Sequence, residues 1–533
     1  MFVLVKTRLD SMRSPANADV YAVKRAVREN KLRMENVIDS RILSRSIDSR
    51  RGTPVLLYSI LLELEDNTEL PAGVEPAPPE ILLAATEVRL QLAESALKHP
   101  VVVGTGPCGL FAALALAMAG TEPVVLDKGY PVEERYRSYQ RFLQTRELDE
   151  ESNLLIGEGG AGTFSDGKLY TGTKDERGAF VLKTFADAGA SAEIRYDRRP
   201  HIGSDKLRIA VAGIRQEIIR LGGTFRFGCA VRSPWIENNR CKGVITAAGE
   251  KIEAPAVLIA PGLGGRELVS ALTEQGVEYM IKPFQIGCRI EHPQALIDDR
   301  QFNLRGKSRP ACLGAAEYHM VSRPGGSAAN VSTFCMCPGG EVLNATAWHG
   351  HSVTNGMSDS ARSGEFANGC LIMTLPAERF SSREEIRDFL DSLETKCFEY
   401  GGRDYTLPAQ DAAAFVAGKS GLKRACSCRI GVTPGRIDEL IPGELNLALR
   451  AAVRHFDRLC PGFEKEGVLI GLESCVSSPI RFLRQPEDLM SSCRNLWLGG
   501  EGTGAAGGIM SAAVDGIRLA ESMLKSYQIQ RSC

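Results

Sequence analysis

Residues 101–129 read VVVGTGPCGLFAALALAMAGTEPVVLDKG, and this segment decides the fold. It begins with a short apolar strand, passes through a glycine turn into an apolar helix, and returns as a second strand. Within the turn, Gly104, Gly106 and Gly109 match the pattern GxGxxG. Asp127 ends the second strand about 20 residues further on, where its carboxylate is expected to accept hydrogen bonds from a ribose. The segment therefore carries the full fingerprint of a βαβ unit that binds a dinucleotide.

Each glycine of the fingerprint has its own physical reason. Gly104 permits the tight turn, Gly106 lets the backbone approach a pyrophosphate, and Gly109 allows close packing of helix on strand. The N–H groups at the helix start then face the anion. The same pattern recurs at 157–162 and 502–507, but neither copy lies between a strand and a helix with an acidic residue beyond it. A glycine-rich turn without a ligand is the alternative to the dinucleotide site.

The C-terminal segment predicts the other end of the same domain. NLWLGGEG precedes a helix that starts near Gly507, and only 26 residues follow that glycine. A second dinucleotide-binding unit does not fit there, so this strand and helix are expected to complete the first one. Glu501 is then predicted beside a ribityl chain. The positive N-terminal end of the helix at 507–510 would favour negative charge on a reduced flavin.

The whole chain has the composition of an ordinary globular protein. It has 533 residues with a formal net charge of -1, 44% hydrophobic and 24% charged residues. It carries no apolar run of bilayer length and no leader pattern, so we expect a soluble cytoplasmic protein without a membrane partner. Fifteen cysteines, an odd number, favour reduced thiols over a disulfide framework.

Patterning along the chain predicts an α/β protein in four segments. A strand at 2–8, a helix at 19–31, a strand at 54–65 and a proline-rich linker make a small module. The four predicted segments are 1–95, 96–275, 276–465 and 466–533.

Six ordered blocks from about residue 40 onward carry a family resemblance. They are GEGGAGTFSDGKL (157–169), KPFQIGCRIEHP (282–293), STFCMCPGG (332–340), VTNGMS (353–358), ESCVSSPIR (473–481) and GGEGTGAAGGIMSAAVDG (499–516). Together they resemble the uncharacterised FAD-dependent dehydrogenase family of bacteria, NAD(P)/FAD-dependent oxidoreductases. The resemblance implies that 96–275 and 466–533 are the first and C-terminal parts of a Rossmann-like FAD-binding domain of the glutathione-reductase type. It further implies that 276–465 is a mixed α/β substrate domain inserted into it, and that 1–95 is a small N-terminal α/β domain with its linker.

The fingerprint and the resemblance together predict the FAD contacts. The predicted residues are Gly104, Gly106, Pro107, Cys108, Gly109, Asp127, Lys128, Gly159, Gly160, Ala161, Gly162, Thr163, Ser165, Asp166, Gly167, Lys168, Leu169, Ala230, Val231, Ala260, Pro261, Gly262, Gly500, Glu501, Gly507, Gly508, Ile509 and Met510. Residues 158–169 would lie along the flavin, and 230–231 would touch adenine through the main chain. Pro261 departs from the threonine common in such flavoproteins, and Ser474-Cys475 departs from the usual Thr-Arg pair.

Two sets of residues are candidates for catalysis. Lys168, Glu473 and Arg481 are ionisable residues within the blocks and are suited to binding a carboxylate or moving a proton beside the flavin. Cys335 and Cys337 form a Cys-x-Cys pair, for which plain packing and a flavin-linked thiol or disulfide are the two interpretations.

Cys426 and Cys428 form a second such pair, for which packing is favoured. Structural zinc sites use pairs spaced Cys-x2-4-Cys, so we expect no metal. His349 and His351 alternate without an evident third ligand, which also favours a structural interpretation.

The sequence thus predicts an FAD-dependent oxidoreductase that transfers a hydride between a small organic substrate and flavin N5. NAD(P)H as a transient electron donor makes a flavin reductase the first alternative. The second is a non-catalytic flavin-binding protein with a partner- or RNA-binding N-terminal module. Residues 1–53 hold 12 Lys and Arg against 6 Asp and Glu, and the cluster Lys24, Arg25, Arg28 and Lys31 is better explained as the polar face of a helix than as a nucleic-acid groove.

Overall fold

A computed structural model describes residues 1–50, 52–85, 88–170, 172, 175–323 and 330–528. The chain is a mixed α/β protein, and three of its sheets position the candidate site. Within the described residues, no helix is both long and apolar enough to cross a bilayer.

The N-terminal module is a three-stranded antiparallel sheet with one helix. Its strands are Phe2–Asp10, Val55–Leu64 and Val37–Asp48 in spatial order, and Ala18–Glu29 is its helix. The last of these strands is absent from the sequence prediction. It is an edge strand whose residues are mostly half-buried or exposed, so it lacks the apolar alternation that marks a strand. The inner face of the module shares one apolar core with the largest sheet.

The parallel sheet gathers five short strands from distant parts of the chain. In spatial order they are Leu496–Leu498, Val257–Ile259, Val101–Val103, Val124–Leu126 and Thr224–Arg226, and every neighbouring pair is parallel. The helices packed around it include Pro107–Met118, Arg177–Asp187, Ser204–Arg220 and Ile509–Ser526.

The helix Pro107–Met118 is apolar on all sides and buried from Cys108 to Ala117, as a helix enclosed between a sheet and other helices must be. Gly516 lets the C-terminal helix approach it, because a Cβ at Gly516 would lie 2.0 Å from the Cys108 carbonyl oxygen.

The largest sheet, called the mixed sheet below, has seven strands. In spatial order they are Val321–Ser322, Val331–Cys337, Phe366–Leu375, Phe284–Pro293, Val468–Glu473, Leu407–Asp411 and Val432–Pro434. Helices Gln294–Phe302, Arg383–Tyr400 and Gly443–Leu459 contribute to the same core or pack on its strands.

The strand Val468–Glu473 lies inside the mixed sheet, paired with Phe284–Pro293 and Leu407–Asp411. The sequence-based division at residue 465 assigns this strand to the FAD-binding domain, whereas its strand partners belong to the mixed sheet. A short apolar run shows that a strand forms but does not show which strands it pairs with.

The remaining elements connect these sheets. A three-stranded sheet comprises Val231–Glu237, Arg240–Thr246 and Lys251–Glu253, and two-stranded sheets pair Tyr279–Ile281 with Ile480–Phe482 and Glu341–Asn344 with Thr354–Met357. The other α-helices are Pro79–Ala85, Val132–Thr145, Arg266–Glu274, Ala412–Val416, Ile437–Leu440 and Phe463–Glu466. The pairing of Tyr279–Ile281 with Ile480–Phe482 brings the two ends of the mixed-sheet segment together.

Candidate functional site

The first glycine loop has one glycine that opens on free space. A Cβ on Gly104 would lie 2.3 Å from the Ala260 carbonyl oxygen, and one on Gly109 would lie 1.8 Å from the Gly104 carbonyl oxygen. Both positions therefore need glycine for packing. A Cβ on Gly106 would meet nothing closer than the Gly160 Cα at 3.9 Å. Gly106 thus leaves room in front of the N-terminus of helix Pro107–Met118.

The second glycine loop is held directly against the first. The Gly159 N–H donates to the Thr105 carbonyl at 2.9 Å. The buried Arg135 guanidinium donates to the carbonyls of Glu158 and, at 3.1 Å, Gly160. These bonds fix the two loops face to face.

The start of the C-terminal helix completes the cleft. Gly507 and Gly508 are exposed, and Gly508 has φ +80° with no atom within 4 Å of a built Cβ. A Cβ on Gly162 would lie 2.9 Å from Ile509 Cγ1, so the second loop packs on the first turn of Ile509–Ser526. Two glycine loops and two helix N-termini therefore surround one cleft, which suits an anionic dinucleotide.

Asp127 lies where the fingerprint predicts it, but its carboxylate already holds the loops together. It accepts from the Thr105 N–H at 2.8 Å, the Thr105 hydroxyl at 2.5 Å and the Gly129 N–H at 2.8 Å. The Asp127 carbonyl accepts from the Cys229 N–H, which brings residues 230–231 beside it. A carboxylate offers about four acceptor positions, so one remains for a ribose hydroxyl.

Most of the other residues predicted along the second loop are buried or hydrogen-bonded within the protein. Thr163, Asp166, Gly167 and Leu169 are buried, Ser165 donates to the Gly162 carbonyl, and Ala161 is half-buried. Lys128 and Pro261 are half-buried beside the strand ends, and Met510 and Cys108 are buried in the helix packing. Burial raises the pKa of the Cys108 thiol well above its usual range, which fits a packing residue.

Lys168 belongs to a buried charge network. Its ammonium donates to the Asp166 carboxylate and to the Met336 carbonyl, and Arg362 donates to Asp166 at 2.8 Å and lies 2.8 Å from Glu317. Burial opposes the charge on Lys168, but the negative groups Asp166, Cys337 and Glu317 together outweigh it and raise the lysine pKa. Lys168 thus ties the second loop to the strand Val331–Cys337.

Glu473 pairs with a cation that the sequence analysis missed. Arg289 is fully buried, with its Nη2 3.0 Å from Glu473 Oε1 and its Nε 2.6 Å from Oε2. Burial raises the pKa of Glu473 to about 7 although Arg289 opposes the shift. Arg289 also donates to Asn355 at 3.0 Å and to the Cys335 carbonyl at 2.8 Å. The sequence does contain a signal for Arg289, because it is a charged residue inside the apolar block FQIGCRI (284–290).

Arg481 lies at the mouth of the cleft with a second missed cation, Lys282. Arg481 is exposed and Lys282 is half-buried. Burial lowers the pKa of Lys282. The carboxylate of Glu501 raises this pKa and the guanidinium of Arg481 lowers it, so all three charged groups lie near one another. Within the part of the chain that the structure describes, neither cation has a carboxylate within 4.0 Å.

Glu501 sits at the N-terminus of the C-terminal helix. A Cβ on Gly507 would lie 3.8 Å from Glu501 Oε1, and the Gly508 N–H donates to the carboxylate. Burial raises the pKa of Glu501 to about 7, and the hydrogen bond from Gly508 offsets part of that shift.

The Glu501→Gln variant is expected to be more stable than the parent above neutral pH and equally stable near pH 4.5. Below pH 4.5 the glutamate is protonated in both states. Between pH 4.5 and 7 the unfolded chain releases the proton while the folded protein keeps it, so the parent loses stability. The expected difference at pH 8 is about 1–3 kcal/mol. Urea unfolding of the cofactor-free proteins at several pH values measures it, and a difference independent of pH would contradict the buried position.

The two Cys-x-Cys pairs do not assemble a metal site. Among the described residues, the only group of three metal-ligating side chains within ligand distance is His351, Asp391 and Glu394. Arg266 donates to both of these carboxylates at 3.0 Å or less, so their charge is already balanced. The absence of zinc stays a prediction.

Comparisons with known proteins identify the relatives of the chain. The model of the family described as FAD-dependent protein, C-terminal domain-like, matches residues 283–476, which span the mixed sheet. An uncharacterised protein of Clostridium beijerinckii is 37% identical over 439 residues, which is 81% of this chain and 82% of the relative.

Two solved structures are similar at a much lower level. CtdE in complex with FAD has 14% identity and a TM-score of 0.33, with 80% of this chain and 84% of that chain covered. L-proline dehydrogenase from P. horikoshii has 12% identity and a TM-score of 0.34, with 81% and 94% covered.

Proposed function

This chain belongs to the family of FAD-dependent proteins, and on that premise we propose that it is an oxidoreductase whose two glycine loops hold FAD between the parallel sheet and the mixed sheet. The predicted cofactor, FAD, is confirmed by the family. When bound, the flavin supplies hydride chemistry at N5. The proposed domain arrangement is of the glutathione-reductase type, with the mixed sheet as the inserted substrate domain.

The free space beside Gly106, in front of the N-terminus of helix Pro107–Met118, carries this proposal. Side chains are excluded from Gly104 and Gly109 by packing, whereas no neighbouring atom excludes one from Gly106. Glycine at Gly106 is explained by a ligand that approaches the backbone there. The N–H groups at the start of Pro107–Met118 would bind the pyrophosphate, because they have no side-chain cap.

The C-terminal helix would hold the other end of the cofactor. Gly507 and Gly508 are exposed at the start of Ile509–Ser526, and the positive end of this helix would favour negative charge on the flavin pyrimidine. Glu501 beside it would accept a hydrogen bond from the ribityl chain.

The substrate would carry an anionic group. Lys282 and Arg481 place two cations at the mouth of the cleft, beside the C-terminal loop. A carboxylate on the substrate would complete their charge and hold the reacting carbon in a fixed orientation. Glu473 deeper in the mixed sheet has a pKa of about 7, which suits it to hold or move a proton near neutral pH.

The Asp127→Ala variant is expected to bind FAD about ten- to a hundredfold more weakly while remaining folded, because the ribose loses a charged acceptor and Thr105 loses the bond that orders the first loop. Fluorescence titration of the cofactor-free protein measures the dissociation constant. Asp127→Asn keeps the shape and is expected to have an intermediate effect. An unchanged dissociation constant in both variants would show that Asp127 does not face the ribose.

Anaerobic reduction of the yellow protein tests the reaction class. The holoprotein is mixed with NADH, with NADPH, and with a panel of amino and hydroxy acids, and the flavin absorbance is followed. We expect a carboxylate-bearing donor to bleach the flavin, with a higher KM and little change in kcat for Arg481→Gln. Rapid bleaching by NADPH or NADH alone would favour the flavin reductase instead. No bleaching by any donor would leave a flavin-binding protein without this activity.

A further inference from the structure

The strand that carries the Cys-x-Cys pair is distorted at Cys335. The pairing of Val331–Cys337 with its neighbour shifts between Phe334 and Cys337, where a bulge interrupts the ladder. Cys335 lies in this bulge with φ +43°, a left-handed conformation that L-residues other than glycine and asparagine rarely adopt. Residues held in such conformations concentrate at functional sites. Cys335 is only half-buried, next to Phe334, which is 44% exposed.

Two cations hold the bulge. Arg289 donates to the Cys335 carbonyl at 2.8 Å and Lys168 donates to the Met336 carbonyl. The fully buried Cys337 thiol donates to the Cys335 carbonyl at 3.4 Å. A hydrogen bond from Cys337 lowers the pKa of Cys335 to about 5. Burial opposes this shift, whereas the positive charges of Arg289 and Lys168 add to it. The same hydrogen bond raises the pKa of Cys337. The two thiols therefore differ in acidity, and Cys335 is the more acidic one.

The second Cys-x-Cys pair shows that the spacing alone does not produce this asymmetry. Burial raises the pKa of both Cys426 and Cys428, and the nearby carboxylate of Glu291 raises them further. Cys426 and Cys428 have the same spacing but lack the hydrogen bonds from Arg289 and Lys168 to the backbone. They are therefore a matched control for the Cys335–Cys337 pair.

The bulge at Cys335 lies close to the proposed cofactor cleft. Lys168 belongs to the second glycine loop and donates to the Met336 carbonyl, and Gly162 of the same loop packs on Ile509 at the start of the C-terminal helix. Negative charge on Cys335 also raises the pKa of Glu501, which accepts from the Gly508 N–H, and that of Glu473. Under the proposed function, this is the side on which the flavin ring lies.

We propose that Cys335 and Cys337 form a dithiol–disulfide couple that exchanges two electrons with the flavin, an inference that rests on the proposed function. Starting from the Cys335 thiolate and the Cys337 thiol, the oxidised flavin takes two electrons and the proton of Cys337, and a sulfur–sulfur bond forms between the two residues. In the opposite direction the reduced flavin returns two electrons and one proton, and the bond opens. The fully reduced protein therefore stores four electrons, two on the flavin and two on the thiols.

Thiol labelling tests the couple without the cofactor. The cofactor-free protein is reacted with iodoacetamide at pH 6 and the labelled peptides are quantified by mass spectrometry. Cys335 is expected to react on the order of 100-fold faster than Cys426, because its thiolate is already formed. Cys337→Ala is expected to move the half-maximal labelling of Cys335 to higher pH, and Cys426→Ser to leave it unchanged. Labelling of Cys335 only above pH 8 would overturn the proposal.

Electron counting tests the exchange with the flavin. The holoprotein is oxidised with diamide, freed of reagent, and titrated anaerobically with dithionite. The parent and Cys426→Ser are expected to take four electrons per FAD, and Cys335→Ser and Cys337→Ser to take two. Two electrons in the parent would overturn the couple while leaving the proposed function intact. A protein that binds no FAD would contradict the proposed function, whereas the labelling experiment would still decide whether Cys335 is an ionised thiol.

Discussion

Purified Gly106→Val protein is expected to be folded and colourless. A branched side chain at this position would project into the space in front of the N-terminus of helix Pro107–Met118, where the pyrophosphate is proposed to bind. Gly106 has φ −64°, and the nearest heavy atom to a built Cβ is the Gly160 Cα at 3.9 Å, so a Cβ at this position strains neither the backbone nor the packing. We expect complete loss of FAD with little loss of stability. The ratio of flavin absorbance to protein absorbance and the thermal unfolding midpoint measure the two effects separately.

Substitutions at two other glycines serve as controls for this experiment. Gly314 is exposed, has ordinary backbone angles and has open space around it, so Gly314→Val is expected to keep both fold and colour. Gly104→Ala places a Cβ 2.3 Å from the Ala260 carbonyl oxygen and is expected to destabilise the fold as well as remove FAD. A Gly106→Val protein that retains its full FAD content would show that the first loop does not hold the pyrophosphate.

The Arg289→Ala variant is expected to lose about 3–5 kcal/mol of unfolding free energy, because it leaves Glu473 as a buried carboxylate without its partner. The bonds from Arg289 to Asn355 and to the Cys335 carbonyl are lost as well. Urea denaturation of the cofactor-free protein measures the difference, and an unchanged slope against urea would show that the same surface unfolds.

A double variant and an exposed pair control the Arg289 experiment. Arg289→Met with Glu473→Gln removes both charges and is expected to recover most of the lost stability. Arg220 and Glu217 form an exposed pair at 2.6 Å, and Arg220→Ala is expected to leave the free energy of unfolding nearly unchanged. If Arg289→Ala costs no more than Arg220→Ala, the Arg289–Glu473 pair is not buried as the structure describes.

The local elements of the fold could be predicted from the sequence to a large extent. The strands predicted at 2–8 and 54–65 appear as Phe2–Asp10 and Val55–Leu64, and the helix predicted at 19–31 appears as Ala18–Glu29, because periodic apolar patterns identify such elements well. The partners of short strands could not be predicted. The apolar runs VLI (257–259), LWL (496–498) and VLIGLE (468–473) are alike in composition. The first two nevertheless join the parallel sheet, and the third joins the mixed sheet. Long-range packing decides that choice.

The glycine loops of the candidate site could be predicted from the sequence, because the need for glycine is local. The charged residues that come from distant parts of the chain could not. The pattern at 104–109 is local, so its turn was recognisable in the sequence. Arg289 and Arg362 were missed, because each forms a buried ion pair with a residue that lies far away in the chain. Lys282 was missed as well, because Arg481 and Glu501 beside it are distant in sequence. The separation of Arg289 from Glu473 is 184 residues. Only the folded strands bring such groups together.

A crystal structure of the yellow holoprotein would show directly where the cofactor binds. We expect electron density for one FAD per chain, with the pyrophosphate beside Gly106 at the N-terminus of helix Pro107–Met118 and the flavin ring beside Gly507 and Gly508. The sulfur of Cys335 is expected on the face of the ring that the mixed sheet covers. Density for FAD outside the cleft between the two glycine loops would contradict the account.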